Sequence, residues 1–181
     1  MEYVPLQEGV LEAGCDEAGR GCLAGAVFAA AVVLPEGFAH PLLDDSKKMS
    51  ERNRRLLREV IEREALAWAV AEVGPGRIDE INILNASFEA MNLAVRALSV
   101  RPQLLLIDGN RFRTGLEISY KCIVKGDSKH ANIAAASVLA KTHRDESMER
   151  LAAEYPAYNW AGNKGYPTRE HRLAVLENGL T

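Results

Sequence analysis

No apolar run in this 181-residue chain approaches the ~20 uncharged residues that a membrane-spanning helix needs. The opening residues, MEYVPLQEGV, lack the basic-then-apolar pattern of a secretory leader. Cysteine is scarce. Cys15, Cys22 and Cys122 are too few and too scattered for a disulfide framework, and none forms a CxxC pair. They read as small strand and core residues in a reducing setting, which points to the cytoplasm. Internal repeats, low-complexity tracts and linker-like stretches are also missing, so residues 1–181 are expected to form one domain, with a helical C-terminal element from about 156. The formal net charge of −3 does not mark a polyanion binder.

A global charge can hide local fields. Residues 47–58, KKMSERNRRLLR, hold six basic side chains against Glu51 alone, and 121–130, KCIVKGDSKH, hold three lysines and a histidine around Asp127. Each patch reads equally well as a solvated face or as a contact surface for an anion.

The apolar pattern predicts alternating strands and helices. A first strand ends near Asp16, and AVFAAAVVL (26–34) is an almost unbroken apolar run that stops before Pro35. Ser50 is suited to cap a helix on which Leu56, Leu57, Val60 and Ile61 share a face. Leu66, Trp68 and Val70 alternate as in a strand. After GPG (74–76), Leu84, Phe88, Met91, Val95 and Leu98 recur at helical spacing as a core stripe. LLLID (104–108) reads as a short buried strand, and Ile118, Tyr120, Cys122 and Val124 alternate in the next. A long helix runs from Ala131 towards Tyr155, with AAAS (134–137) allowing close packing on a sheet. A final helix near 169–177 stops at Asn178-Gly179. About five strands interleaved with helices make an α/β layer structure.

The chemistry gathers at strand ends. Asp16 and Asp108 each close an apolar strand, and Asp127 follows another. In α/β sheets such ends carry functional groups. If the strands of Asp16 and Asp108 are neighbours, their carboxylates repel unless a cation lies between them. All-oxygen donors suit Mg²⁺ or Mn²⁺. Glu17 follows Asp16 directly, and in a regular strand the two point to opposite faces. A shared site is therefore expected to need a break in the strand, which Gly19 and Gly21 would permit. GRGCLAG is not a dinucleotide-binding fingerprint: its glycines feed a second strand rather than a helix.

Six ordered pieces, CDEAGRGCLAGAV, DDSKKMSE, INILNASFEAM, LLIDGN, KGDSKHANIAAASVLAKTHRD and NKGYPTREH, together resemble the successive motifs of type 2 ribonuclease H, the bacterial ribonuclease HII family, over roughly residues 10–175. The resemblance implies a ribonuclease H-like fold, a mixed five-stranded sheet flanked by helices. It implies a metal-dependent endoribonuclease that cuts the RNA strand of RNA–DNA hybrids. It further implies incision on the 5′ side of single ribonucleotides embedded in duplex DNA, leaving 3′-hydroxyl and 5′-phosphate ends, a role in ribonucleotide removal during repair and replication. Asp16, Glu17, Asp108 and Asp127 match the family's catalytic, metal-binding acids, for a pair of Mg²⁺ or Mn²⁺ ions. Gly19, Arg20 and Gly21 match its clamp on the ribose 2′-hydroxyl, Tyr166 the tyrosine that packs on the sugar beyond the junction, and Lys47 a phosphate contact.

Cys22 and Ala26 stand where the family commonly has proline, and relatives often continue into a basic segment beyond the position of Thr181. A monomer acting on hybrids and ribonucleotide-containing duplexes, away from membranes, is expected. Another nuclease of the same fold, such as a junction resolvase, and a non-catalytic hybrid-binding module are the alternatives. Outside the motifs, Arg144 and Asp145 read as a structural ion pair, His130 and His143 as exposed histidines, and Trp160 as a cover for the loop bearing Tyr166.

Overall fold

The computed structural model describes residues 1–44 and 49–181. Its strands are β1 (Glu12–Ala18), β2 (Val27–Val33), β3 (Ala67–Val73), β4 (Leu104–Asp108) and β5 (Ser119–Ile123). The helices are α1 (Glu51–Glu64), α2 (Pro75–Ala97), α3 (Ala131–Glu154), α4 (Trp160–Asn163) and α5 (Arg169–Asn178). The strands form one sheet in the order β3-β2-β1-β4-β5. The pairs β1–β2 and β2–β3 are antiparallel, while β1–β4 and β4–β5 are parallel. This is the mixed five-stranded sheet expected from the sequence.

Helices cover both faces, which explains why every residue of β2 is buried. Val27, Ala29, Ala31 and Val33 face α2, packing with Phe88, Met91 and Val95. Ala30 and Val32 face α3, whose Ala134, Ala135 and Ala136 are fully buried. Sheet and helix approach closely just before that alanine run. A Cβ on Gly14 of β1 would collide with the main chain of Asn132 and Ile133, so only glycine lets β1 reach the start of α3.

Ser50 caps α1 as the sequence suggested, accepting from the Asn53 N–H at 3.2 Å. Leu57 and Ile61 are fully buried, each contributing about 1.5–3 kcal/mol. Leu56, expected on the same face, is exposed, as is Leu66, which precedes β3. α2 is not one continuous helix. Asn82 has φ 66°, and its Oδ1 accepts from the N–H groups of Leu84 and Asn85, capping a second segment. The apolar stripe starts just past this kink. The alternating residues of β5 are half-exposed because β5 is an edge strand, where Lys121 discourages further pairing. Among the described residues no helix is long and apolar enough to cross a membrane.

Candidate active site

The register of β1 and β4 pairs Cys15 with Ile107, so the next residues, Asp16 and Asp108, lie side by side. β4 ends at Asp108, but β1 does not break at the acids. It continues to Ala18, with Asp16 opposite Ala30 and Glu17 opposite Ala29 on β2. The expected break is therefore absent, and the two acids do point to opposite faces. Asp16 faces α3, where Ser137 hydrogen-bonds its carboxylate. Glu17 faces α2, in a cavity of about 250 Å³ shared with Arg20, Asp108 and Arg111. One region serves both because β4 stops where β1 runs on. Asp108 hangs at that gap and acts electrostatically on Asp16 and on Glu17.

Burial and crowding make Asp16 and Glu17 costly to ionise. Burial pushes the Asp16 carboxyl well above the usual carboxylate range, and the charges of Glu17 and Asp108 push the same way. Hydrogen bonds from Ser137 and from the Glu17 N–H, at 2.7 Å, partly offset this. Burial also raises Glu17, against the pull of the Arg20 guanidinium at 3.1 Å. Asp127 is buried on a 3₁₀ turn, Gly126–Ser128, whose Gly126 N–H donates to Asp108 Oδ1 at 2.7 Å. Among the described residues no three acidic, histidine or cysteine side chains close around a single point. The chemistry of the donor set nevertheless fits a hard divalent cation: crowded, desolvated carboxylate oxygens, of which Glu17 is paired with Arg20 while Arg111 lines the same cavity.

The glycines beside the acids do two kinds of work. Gly19 adopts φ 107°, and a Cβ there would strike Arg144. Gly21 has neither a positive φ nor any atom within 4 Å of a would-be Cβ, so the fold does not require glycine at that exposed position. Open space over bare backbone is what a closely approaching ligand needs.

Tyr166 is 39% exposed and so is not a core tyrosine. Its ring lies beneath the Lys141 ammonium, 5.3 Å from the centroid. The segment carrying it is stitched to the glycine-rich loop: the Leu23 N–H donates to the Gly165 carbonyl at 2.8 Å. Arg144, fully buried, donates to the carbonyls of Ala24, Ala26 and Lys164 at 3.0, 3.1 and 2.8 Å. The expected Arg144–Asp145 ion pair does not exist. Adjacent residues on a helix do not face each other, and Asp145 pairs with Lys141 one turn back at 2.7 Å. His171, also fully buried, bridges the Trp160 indole N–H, at 2.9 Å, and the Tyr166 carbonyl, at 2.9 Å. Indole only donates, so Nε2 accepts and Nδ1 carries the proton, which makes His171 neutral. Trp160 covers this loop as expected, stacked on Tyr158.

Other expectations fare differently. His143 packs against Trp68 and meets Glu62 at 2.9 Å, on the α1 side rather than in solvent. Lys47 lies outside the described residues. Sequence reasoning missed Arg144 and His171 as organisers of the site, because their partners lie far along the chain or are main-chain atoms.

The sequence model of the family described as Ribonuclease HII matches residues 13–181. A Ribonuclease HII from Bacteroides thetaiotaomicron is 62% identical over 176 residues, covering 97% of this chain and 88% of that one. One from Porphyromonas gingivalis is 54% identical with the same coverage. Among solved structures, ribonuclease H2 from Pyrococcus horikoshii OT3 superposes with a TM-score of 0.76 at 27% identity, covering 92% of this chain and 85% of its own.

Proposed function

Because the chain belongs to the ribonuclease HII family, we propose that this type 2 ribonuclease H cuts RNA strands of RNA–DNA hybrids and incises duplex DNA 5′ of single embedded ribonucleotides. The products would carry 3′-hydroxyl and 5′-phosphate ends, as ribonucleotide removal in replication and repair requires. We read residues 1–181 as one catalytic domain, working as a monomer in the cytoplasm.

The observation that supports this best is the gap at the end of β4. There Asp16, Glu17 and Asp108 share one electrostatic field, and Asp127 is one residue from the N–H that holds Asp108. These four acids would hold Mg²⁺ or Mn²⁺. When bound, a pair of such ions supplies an activated water and charge neutralisation at the leaving 3′ oxygen. The chain's own part is positioning. Ser137 and the Glu17 N–H orient Asp16, and the Gly126 N–H orients Asp108. Gly19, Arg20 and Gly21 present main-chain groups to the ribose 2′-hydroxyl, the group that distinguishes RNA from DNA. Tyr166 packs on the sugar beyond the junction, and Lys47 contacts phosphate. No side chain serves as nucleophile, so a trapped covalent adduct would contradict the mechanism.

Cleavage of a hybrid, a single-ribonucleotide duplex and an all-DNA duplex, with and without Mg²⁺, tests the reading. Metal-dependent cutting of the first two alone supports it. Equal cutting of all-DNA favours a resolvase, and binding without cutting favours a non-catalytic module.

A further inference from the structure

The basic run around α1 is the obvious place to seat a polyanion, but two of its arginines are already paired with carboxylates of the protein. Arg55 bridges Glu51 and Glu149, and Arg58 bridges Glu62 and Glu146, all within 2.9 Å. A different pair of cations is left available, in the loop joining β4 to β5. Phe112 in that loop is buried edge-on against Phe88 and Tyr120, with ring centroids 5.8 and 5.3 Å apart. The loop is pinned again where Asn92 Nδ2 donates to the Arg113 carbonyl at 2.9 Å and the Thr114 hydroxyl donates to Asn92 Oδ1. Arg111 and Arg113 flank the buried ring and are both exposed. Among the described residues neither guanidinium donates to a carboxylate or a carbonyl.

These arginines stand along a groove. Arg111 lines the cavity that contains Glu17 and Asp108. A second cavity of about 530 Å³ continues from it past Asn110, Arg111, Arg113 and Tyr120. The anchoring is done by Phe112, Asn92 and Thr114, so the fold has no use for either guanidinium. A rigid loop showing two outward cations, beside a groove that opens into the carboxylate cavity, is suited to a chain of phosphates. We propose that this groove is a phosphate track, in which Arg111 and Arg113 hold backbone phosphates of the substrate on one side of the cleavage point. The inference rests on the hybrid-cleaving reading above and adds a substrate contact to it. Phosphate contacts carry no sequence or sugar information, so the track sets affinity and salt dependence and leaves ribose discrimination untouched.

The test uses the Arg111→Gln/Arg113→Gln double variant of the full chain on a long RNA–DNA hybrid. The expected result is a KM raised about tenfold at 150 mM salt, kcat within about twofold, and a log K against log salt slope shallower by about 2. Lysine at both positions should restore the slope. Shortening the hybrid stepwise from each end should erase the difference from wild type at one end only. Arg96→Gln/Arg150→Gln removes the same charge from exposed positions outside the groove and should change neither KM nor slope. The track is overturned if the groove variant keeps wild-type KM and slope, if the control pair loses as much, or if kcat falls while KM holds. A wild-type chain that cuts no hybrid overturns the functional reading itself, which these arms keep separate.

Discussion

The Asp108 carboxylate accepts a hydrogen bond from the Gly126 main-chain N–H at 2.7 Å, tying the end of β4 to the turn that carries Asp127. Two acids 19 positions apart in the chain are thereby fixed to one scaffold, and Asp108 acts in turn on Asp16 and Glu17 across the sheet.

Asp108→Asn retains an oxygen for the Gly126 N–H but loses the charge. Cleavage should fall roughly a thousandfold, while hybrid binding without metal stays within about twofold and the melting temperature holds. Single-turnover kinetics alongside fluorescence anisotropy separate these effects. Loss of binding together with cutting would assign Asp108 to the fold or to substrate contact.

Added Mg²⁺ or Mn²⁺ should stabilise the protein, because a cation relieves the repulsion among buried carboxylates. At tenfold excess over Kd, Tm should rise by about 3–6 °C. Asp16→Asn should abolish most of that rise. Thermal denaturation with and without the ion reads it directly, independently of activity, and an undiminished rise in the variant would place the ion elsewhere.

Tyr166→Ala removes a half-exposed ring that sits under Lys141. Its effect should be about tenfold larger on single-ribonucleotide duplexes than on long hybrids, where many junction-free registers are available. Comparing kcat/KM on the two substrates checks this, and equal losses would argue against a junction-reading role.

Arg144→Met leaves three carbonyls without their donor and loosens the glycine-rich loop from the Tyr166 segment. Stability should drop by about 3–5 kcal/mol. Denaturant unfolding gives that figure. Where the folded population persists at low temperature, discrimination between ribose and deoxyribose should weaken as well.

Much of this arrangement is legible in the sequence because simple periodicities carry it. The buried run of β2 and the acids closing LLLID and preceding the glycine-rich loop mark Asp16 and Asp108 as carboxylates at or near the ends of buried strands without coordinates, while the pairing of those two strands is supplied by the fold. What escapes is set by distant contacts. The pairing of Arg55 and Arg58 on α1 depends on Glu149 and Glu146, some ninety residues away. Arg144 looks like any helical arginine until the carbonyls of Ala24 and Ala26 arrive beside it. On sequence alone a site shared by Asp16 and Glu17 requires a broken strand, because the early end of β4, which lets one region serve both acids, depends on register rather than composition. The kink at Asn82 is a local event, but its signal, one asparagine in a left-handed conformation, is too weak to override helical spacing.

The most direct measurement is the mapping of the cut in a DNA duplex containing one ribonucleotide, incubated with wild-type chain and Mg²⁺. Incision at the phosphodiester immediately 5′ of the ribonucleotide, with a 3′-hydroxyl and a 5′-phosphate and no reaction in chelator, is the expected outcome. Cutting that ignores the ribonucleotide, or that proceeds equally well without a divalent ion, would contradict the account.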